Sequence, residues 1–370
     1  MKLLLAESST AVGGQELAVL LHAEGLLRRG HDLRLILEPG SPIAAMAEER
    51  RLPTIGLPMR KSRYPLAILE MRKLLQHHRP EVLQLNSSRD SWIGSIAAHL
   101  TSPKPAVLRI RHISAPLNRN LTTRWLYRRL VDMVVVTGGE RTRQALVERD
   151  GLDPGRVAAF PIGLDVGRFK PGLPDPNLRV ELNLPASQLL VGLISYLRSY
   201  KGHVYFIEAA ERIAKTRTDV TFLIVGEGPD AASIRSTIDH LGLASRVRML
   251  GYRDDLVNIF RSLDAFVIPS VEGDTIPQVL MQALAMKLPV VSTTVGSIPD
   301  VVIEGETGFV VPPRDAQSLA ERITRLLDDR ELRVRLGANG RALVERSYTI
   351  DKMLDGMEAV YQRMIRRRQS

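Results

Sequence analysis

Residues 272–293, "EGDTIPQVLMQALAMKLPVVST", combine a short acidic loop, an apolar run and a β-branched run. The loop carries the carboxylates of Glu272 and Asp274, and the apolar run is interrupted by the amide of Gln282. An apolar run of this length predicts a helix, and "LPVVST" is typical of a strand. A loop, a helix and a strand in this order indicate part of an open α/β domain.

The same alternation extends over the rest of the chain. A helix is predicted from Gly14 to Gly30, and amphipathic stretches separate most of the strand-like runs. Those runs are "KLLLAE", "DLRLILE", "PEVLQLN", "AVLRIRH" and "DMVVVTG", then "LLVGLISYL", "VTFLIVGEG", "RVRMLGY", "DAFVIPS", "LPVVSTT" and "TGFVVPP". Runs of this kind joined by helices predict parallel strands with crossover helices.

The strand-like runs fall into two groups, and the segment 161–177, "PIGLDVGRFKPGLPDPN", separates them. This segment is rich in Gly and Pro and poor in periodicity, so it is predicted to be a linker. The sequence therefore predicts one α/β domain over residues 1–165 and a second over residues 166–349. A last helix is predicted within residues 350–370, and it ends in a basic tail.

The composition excludes several classes of protein. Of 370 residues, 44% are hydrophobic and 25% are charged, which is typical of a globular rather than a disordered chain. The absence of Cys excludes disulfides and thiolate-bound zinc or iron–sulfur clusters. No stretch of about 18 apolar residues occurs, and the opening "MKLLLAESSTAVGG" has too short an apolar run for a signal peptide. A cytoplasmic protein is expected.

The formal charge of +10 is concentrated in the first half of the chain. Residues 1–165 contain 24 Lys and Arg against 16 Asp and Glu, and residues 51–130 alone contain 15 against 3. This excess favours an acidic partner: an anionic membrane surface, a phosphorylated acceptor or nucleic acid. In "RWLYRR", residues 124–129, the side chains of Trp125, Leu126 and Tyr127 lie among arginines and suit a headgroup interface. The alternative is a solvated basic face on a crossover helix whose Trp125 belongs to the core.

Ligands of open parallel sheets bind beyond the carboxyl ends of the strands, where loops lead into helix N-termini. After the first run, Gly13 and Gly14 leave room for an anion, although such a pair is equally typical of a simple turn. After "LLVGLISYL", Arg198 and Lys201 are three residues apart, so both could reach one diphosphate. The alternative is a surface pair of cations. Gly226, in the turn after the next strand, is expected to shape the floor of the site.

Five motifs occur in the order and spacing found in the retaining glycosyltransferases of the GT4 type, and the chain resembles this family over nearly its whole length. The motifs are "LRSYKGH", "VGEGP", "GYRDDLVNIFRSLDAFVIPS", "PQVLMQALAMKLPVVSTTVGSIPDVV" and "GETGFVVPPRD". The resemblance implies the GT-B fold, an α/β architecture of two Rossmann-like domains facing across a cleft. It further implies that the first domain binds the acceptor, that the second binds the nucleotide-sugar donor, and that the final helix returns to the first domain.

In that family two Glu residues, separated by seven residues, contact the sugar and the ribose of the donor. Gln282 occupies the second position, and an amide oxygen can still accept a hydrogen bond from a ribose hydroxyl. Asp274 lies eight residues before Gln282, so it is preferred as the sugar-facing carboxylate, with Glu272 as the alternative. For Gln282 the alternative is a helix residue that merely faces the cleft. The resemblance also implies donor contacts from Gly13, Gly14, Gly226, Tyr252, Arg253, Thr275, Ile276, Pro277 and Gln278, of which Pro277 lacks an N–H.

The resemblance implies catalysis by charge, with neither a metal ion nor an enzyme nucleophile. Lys201 and Arg198 are expected to neutralise the departing diphosphate, although the family's usual Arg position is occupied here by Tyr196. His112 follows the run "AVLRIR" and is expected to touch the reacting sugar, with a hydrogen-bonded loop residue as the alternative. The nucleotide-sugar is a co-substrate, and no cofactor is expected.

The leading hypothesis is transfer of a sugar from a nucleotide-sugar to an acceptor hydroxyl, with retention, in cell-surface glycan or lipopolysaccharide-type assembly. The expected partners are the donor, a glycan or lipid-linked acceptor, and an anionic membrane surface on whose cytoplasmic face the protein would be peripheral. One alternative is a nucleotide-sugar epimerase of the same fold, which would need paired carboxylates as acid and base. The other is a basic binder of anionic surfaces or nucleic acid with a vestigial donor site. Nucleic acid is disfavoured because only 5% of the residues are aromatic.

Overall fold

The computed structural model describes residues 1–11, 13–112, 115–118, 120–175 and 177–369. The chain forms two compact units. The N-terminal unit comprises Met1–Gly163 and Ile350–Ser370, and the C-terminal unit comprises Leu164–Thr349. The boundary expected between residues 165 and 166 lies two residues from the observed one, and the last helix belongs to the N-terminal unit.

Seven parallel strands form the sheet described in the N-terminal unit. They are β1 (Lys2–Glu7), β2 (Asp32–Leu37), β3 (Thr54–Gly56), β4 (Val82–Leu85), β5 (Ala106–Arg111), β6 (Met133–Val136) and β7 (Val157–Ala159). Their order across the sheet is β3-β2-β1-β4-β5-β6-β7. The central strands β4, β5 and β6 are buried at every position, because helices cover both faces of a parallel sheet.

Helices connect these strands. They are α1 (Gly14–Arg28), α2 (Pro42–Glu49), α3 (Tyr64–His78), α4 (Ser88–His99), α5 (Leu121–Trp125) and α6 (Glu140–Glu148). Helix α5 continues directly into a π-helical turn over Leu126–Leu130. Short 3₁₀ turns, Lys61–Arg63 and Pro154–Arg156, precede α3 and β7.

Six parallel strands form the sheet described in the C-terminal unit. They are β8 (Leu189–Ile194), β9 (Val220–Val225), β10 (Val247–Gly251), β11 (Ala265–Ile268), β12 (Val290–Thr293) and β13 (Gly308–Val311), in the order β10-β9-β8-β11-β12-β13. The helices are α7 (Leu178–Glu181), α8 (His203–Ala214), α9 (Ala231–His240), α10 (Leu256–Ser262), α11 (Gln278–Ala285), α12 (Ala316–Asp328) and α13 (Arg330–Ser347). Apolar clusters fill the space between the sheet and its helices.

The last helix, α14 (Ile350–Gln369), is part of the core of the N-terminal unit. Tyr361 is fully buried, and its hydroxyl donates a hydrogen bond to Oε1 of Gln84 on β4. Gly25 of α1 is in close contact with this helix, because a Cβ added there would lie 2.5 Å from Cδ1 of Leu354. At the edge of this contact Arg29 forms an ion pair with Glu358 at 2.7 Å.

Eleven strand-like runs were expected, and each coincides with a strand, whereas β3 and β7 were missed. Both missed strands contain three residues and are the edges of their sheet, so they contribute no apolar run that sequence periodicity could detect. In each sheet the strand order reverses beside the first strand, between β1 and β4 and between β8 and β11. Open α/β sheets bind ligands beyond the carboxyl ends of the strands at such a reversal.

Candidate active site

The loop after β8 holds Lys201 at the reversal point of the C-terminal sheet. Residues Ser199–Lys201 form a 3₁₀ turn, and Gly202 then begins α8 with a φ of +75°. A Cβ added to Gly202 would lie 1.9 Å from the carbonyl oxygen of Pro269, at the end of β11. Only Gly fits here, because the φ is left-handed and the neighbouring backbone leaves no room for a side chain. Gly202 therefore packs the loop after β8 against the end of the adjacent strand β11.

Lys201 forms an ion pair with Asp274, and their Nζ and Oδ1 atoms are 2.5 Å apart. The second carboxylate oxygen of Asp274 accepts a hydrogen bond from the hydroxyl of Ser270. The side chains of Lys201 and Asp274 are only 16% and 11% exposed, so Lys201 is not a surface cation. Glu272 is exposed on the same loop. Of the two candidate carboxylates, Asp274 is the one that the structure brings to Lys201.

The segment from Asp274 to helix α11 presents backbone and side-chain polar groups beside this pair. Thr275 and Ile276 are buried, and Pro277 precedes the first helical residue, Gln278. The N–H groups in the first turn of a helix have no partner within the helix, so this terminus can accept an anion. The carbonyl oxygen of Thr275 accepts a hydrogen bond from the N–H of Ser297 at 3.2 Å, which fixes the segment.

Gln282 lies one turn further along α11 and is 8% exposed. Its Oε1 atom is buried and has no hydrogen-bond partner among the described residues. A buried acceptor without a donor costs about 1–3 kcal/mol, so a helix residue with no ligand is a costly arrangement. The amide oxygen is available to a hydroxyl group of a ligand, and its predicted contact with a ribose hydroxyl stays a prediction.

Gly226 lies in the turn after β9 and packs against the loop after β8. Its φ is +134°, and an added Cβ would lie 2.0 Å from the carbonyl oxygen of Ser195, so the loops after β8 and β9 are in direct contact. The N–H of Leu197 donates to the carbonyl oxygen of Glu227 at 2.8 Å and ties the same loops together. Burial lowers the pKa of His203 to about 4, and this neutral ring lies 2.9 Å from the hydroxyl of Ser195.

The side chains of Arg198, predicted to be catalytic, and of Tyr252 and Arg253, predicted to bind the donor, are not described in contact with Lys201 or Asp274. Arg198 is exposed, and its guanidinium lies over the ring of Tyr196, 5.3 Å from the ring centroid. Tyr252 is 69% exposed after β10. Arg253 pairs with Glu181 at 2.6 Å and also with Asp255 at 2.8 Å. The catalytic role of Arg198 and the donor contacts of Tyr252 and Arg253 stay predictions.

His112 follows β5 at the carboxyl edge of the N-terminal sheet. Its Nδ1 lies 3.2 Å from the hydroxyl of Thr137, at the end of β6, and its Nε2 is buried without a partner among the described residues. Burial lowers the pKa of His112 well below its usual value, and the nearby Arg109 lowers it further. The imidazole is therefore neutral near pH 7 and has one nitrogen free for a hydrogen bond.

Sequence reasoning missed a buried carboxylate pair at the same edge, formed by Glu7 and Asp90. Asp90 accepts hydrogen bonds from the N–H groups of Ser8 and Ser87 at 3.0 and 2.9 Å, and Glu7 accepts one from Nε2 of Gln15 at 2.7 Å. Burial raises the pKa of Asp90 well above its usual range, and the neighbouring Glu7 raises it further. A carboxylate that ends a strand-like run, as Glu7 does, was the available signal.

Gly13 and Gly14 behave differently from the predicted anion cradle. The N–H of Gly13 already donates to the carboxylate of Glu16 at 2.8 Å. A Cβ added to Gly14 would meet no atom within 4 Å, so local packing does not require Gly there. A donor contact at these two residues remains a prediction, and an anion would have to compete with Glu16 for the first amide.

Comparison with known protein families covers both units. The model described as "Glycosyltransferase Family 4" matches residues 12–168, and the model described as "Glycosyl transferases group 1" matches residues 174–343. The chain belongs to the GT4-type glycosyltransferases. The enzyme therefore has two Rossmann-like domains of the GT-B type.

Several curated glycosyltransferases resemble the enzyme in sequence. The UDP-Gal:alpha-D-GlcNAc-diphosphoundecaprenol alpha-1,3-galactosyltransferase of Escherichia coli is 22% identical over 96% of this chain and 95% of its own length. A lipopolysaccharide core biosynthesis mannosyltransferase of Rhizobium meliloti is 28% identical over 70% of this chain and 73% of its own. A capsular polysaccharide biosynthesis glycosyltransferase of Staphylococcus aureus is 23% identical over 80% of each chain.

Solved structures show the same fold. A glycosyltransferase of Rickettsia africae superposes with a TM-score of 0.88 at 19% identity, covering 98% of each chain. HepE of Anabaena, solved in complex with UDP, superposes with a TM-score of 0.86 at 20% identity, covering 98% of this chain and all of that one. The family assignment favours the transferase hypothesis over both an epimerase and a binder with a vestigial donor site.

The chemistry available to the enzyme follows from these groups. In the C-terminal unit the loop after β8 holds a fixed cation, and α11 offers its N-terminus and an amide oxygen without a partner among the described residues. This set suits a diphosphate and a hydroxyl. In the N-terminal unit a neutral imidazole and buried carboxylates line one edge of the sheet, a set that suits hydroxyl groups.

Proposed function

We propose that the enzyme transfers a sugar from a nucleoside-diphosphate sugar to a hydroxyl of a glycan or lipid-linked acceptor, with retention of configuration, in cell-surface polysaccharide or lipopolysaccharide assembly. The observation that carries the proposal is the Lys201–Asp274 ion pair, fixed at the reversal point of the C-terminal sheet. Support for the acceptor class comes from the E. coli relative, whose name includes a diphosphoundecaprenol-linked sugar and which matches nearly the whole chain.

Lys201 supplies the positive charge that the departing diphosphate needs. The C1–oxygen bond to the diphosphate breaks, and the negative charge that develops on the phosphate is stabilised by the ammonium group. Asp274 holds the ammonium in position before the donor arrives and then faces the sugar. Arg198, exposed on the same loop without an acidic partner among the described residues, adds a second cation. No metal ion is required for this charge balance.

Retention follows when the acceptor hydroxyl attacks C1 from the side that the diphosphate leaves. A new C1–oxygen bond forms to the acceptor, and the hydroxyl proton passes to a phosphate oxygen of the leaving group. Neutral His112 orients a hydroxyl group through its free Nε2, and Gln282 accepts a hydrogen bond from a ribose hydroxyl. Neither residue exchanges a proton in this scheme.

The membrane interpretation rests on a different part of the N-terminal unit. Residues Lys61–Arg63 form a basic turn, and the exposed side chains of Leu66 and Leu69 follow on α3. Trp125 is 49% exposed and stacks on Trp92. Basic groups beside exposed apolar side chains suit the headgroup region of an anionic bilayer. Among the described helices, none is long and apolar enough to cross a membrane.

The sequence interpretation of "RWLYRR" is wrong for two of its residues. Leu126 and Tyr127 are buried at 4% and 7% exposure, because the π-helical turn directs them into the core of the N-terminal unit. Neither can contact a headgroup. Only Trp125 of the three is available to a surface, so the membrane proposal rests on Trp125, α3 and the surrounding cations.

Donor binding by Lys201 is tested by nucleotide titration. UDP and UDP-sugars should raise the melting temperature of the wild type, and Lys201→Ala should weaken binding about tenfold, or about 1.4 kcal/mol. Lys215→Ala is the matched control, because Lys215 forms a similar ion pair with Glu211 at 2.8 Å on the exposed surface of the same unit. Equal nucleotide affinity in the Lys201 and Lys215 variants would contradict the proposed donor site.

A further inference from the structure

A concave site lies at the opposite edge of the N-terminal sheet from His112. It is a groove of about 330 Å³, and three separate elements contribute arginines to its lining. The arginines are Arg128, Arg129, Arg156, Arg363, Arg367 and Arg368, referred to below as the arginine groove. This volume is at the lower end of the roughly 300–1,000 Å³ of small-ligand sites.

The groove lies at the amino ends of the strands. Asp132, which lines it, immediately precedes β6, and Arg156 immediately precedes β7. His112 and Thr137 follow the carboxyl ends of β5 and β6. Strand β5 has six residues and so spans about 20 Å. The arginine groove is therefore separate from the carboxyl edge that holds the candidate acceptor groups.

The positive charge of the groove is largely uncompensated. Asp132 is the one acid among the lining residues, and its carboxylate is shared by Arg368 at 2.8 Å and Lys104 at 3.7 Å. The partners of two other arginines are uncharged: Arg367 donates to the carbonyl oxygen of Gly155 at 3.2 Å, and Arg363 contacts the sulfur of a methionine at 3.4 Å. These contacts leave the guanidinium charge unneutralised.

Arg156 shows how the groove is held in shape. Its guanidinium donates to the carbonyl oxygens of Asp132 and Arg128 at 3.1 and 3.0 Å, and also to that of Val131. Like charges held close together repel each other, and an anion between them relieves that repulsion. Arginine suits phosphate oxygens best, because its planar fork donates two parallel hydrogen bonds.

We propose that the arginine groove binds a phosphate-bearing ligand, a diphosphate or clustered phosphate esters, at a site distinct from the donor and acceptor sites. Six arginines against one acid match a ligand with several phosphate oxygens better than a single carboxylate. The ligand is a soluble phosphate compound or the headgroup of an anionic phospholipid, and both present the same oxygens to the groove.

The first test uses inorganic pyrophosphate and calorimetric titration. All proteins carry Lys201→Ala, so that the candidate donor site contributes little and the outcome is independent of the proposed function. In this background, R363Q with R367Q should weaken pyrophosphate binding at least tenfold. The matched control, R34Q with R235Q, removes two exposed arginines outside the groove and should stay within twofold of its parent. Equal affinity of the groove and control variants, or no pyrophosphate binding in any protein, would overturn the proposal.

The second test identifies the source of the phosphate. If sedimentation with phosphatidylglycerol vesicles falls in the groove variant, and also in the wild type when pyrophosphate is added, the ligand of the groove is a lipid headgroup. If pyrophosphate binding depends on the groove but the groove and control variants bind vesicles equally, the ligand is a soluble phosphate compound. Melting temperatures verify folding, and R363Q alone replaces the double variant if the latter is unfolded, because Arg363 makes the weaker of the two contacts.

Discussion

The residue that most affects the interpretation of the donor site is Gln282, because an amide stands where the family has a carboxylate. Its free oxygen can serve a ribose hydroxyl without a negative charge. An ionised oxygen accepts a stronger hydrogen bond, so Gln282→Glu should keep or strengthen nucleotide affinity. Calorimetric titration with UDP measures this. A loss of more than tenfold, about 1.4 kcal/mol, would instead place position 282 against Asp274 or the diphosphate.

His112 should matter for turnover and not for folding. Its Nε2 bonds to no described residue, so the hydrogen bond that removal of the ring sacrifices among the described residues is the contact of Nδ1 with Thr137. We expect His112→Ala to lower kcat/KM about tenfold with a melting temperature close to wild type. His77→Ala, which removes an exposed histidine from the same unit, is the control. Wild-type activity in a folded His112 variant would mean that His112 is a hydrogen-bonded loop residue without a role in turnover.

At the residue scale the sequence offered candidate residues but not the contacts between them. Lys201, Gly226 and Asp274 could be picked out because they follow strand-like runs, and the register to Gln282 favoured Asp274 over Glu272. The Lys201–Asp274 ion pair itself could not be predicted, since it joins loops 73 residues apart. The buried pair of Glu7 and Asp90 was missed for the same reason: the two residues are far apart in the sequence, and the pairing of β1 with β4 brings the end of β1 next to the start of α4.

At the scale of elements, the burial of His22 between α1 and α14 predicts that the stability of the enzyme depends on pH. His22 is buried on α1, and its Nε2 lies 3.0 Å from the sulfur of Met353 on α14. Burial lowers the pKa of His22 to about 4, from an ordinary value of 6.5. The imidazole of His22 therefore binds a proton less readily in the folded state than in the unfolded state. Its contribution to the free energy of unfolding is complete above pH 6.5 and is lost as the pH falls towards 4.

Protonation of His22 in the unfolded state should lower the free energy of unfolding by about 2 kcal/mol between pH 7.5 and pH 5. Urea unfolding of wild type and His22→Gln at both pH values measures it. The variant should be less stable at pH 7.5 but should lose about 2 kcal/mol less than wild type on acidification. Parallel losses in the two proteins would mean that His22 does not contribute to the pH dependence.

The sequence predicted the strands and helices that have long apolar runs. It did not predict the very short strands or the irregular helical turn. Eleven strands and the helices beginning at Gly14 and Ile350 followed from periodicity. The three-residue strands β3 and β7 have too few residues to show a period. The π-helical turn over Leu126–Leu130 changes which side chains face the core, and an α-helical spacing cannot anticipate that change.

At the scale of the whole molecule, the uneven charge predicts salt-sensitive attraction to anionic membranes. The enzyme should sediment with phosphatidylglycerol vesicles at low salt and be released at high salt, because exposed charges are screened within about 10 Å at 0.1 M. Each cation near the surface contributes about 1 kcal/mol. Lys61→Gln with Arg63→Gln should weaken this binding, whereas Arg235→Gln with Arg330→Gln should not. Equal binding to neutral and anionic vesicles, or none to either, would contradict the membrane proposal.

Proton NMR of the transfer product can test whether sugar transfer is retaining and depends on the charge of Lys201. With UDP-sugar donors and an acceptor that supports turnover, the α-linked donor should give an α-linked product from the first turnovers onwards. Lys201→Ala should slow its formation at least tenfold, about 1.4 kcal/mol, and Lys215→Ala should not. A β-linked product would rule out retention, and unchanged turnover in Lys201→Ala would rule out the proposed role of Lys201.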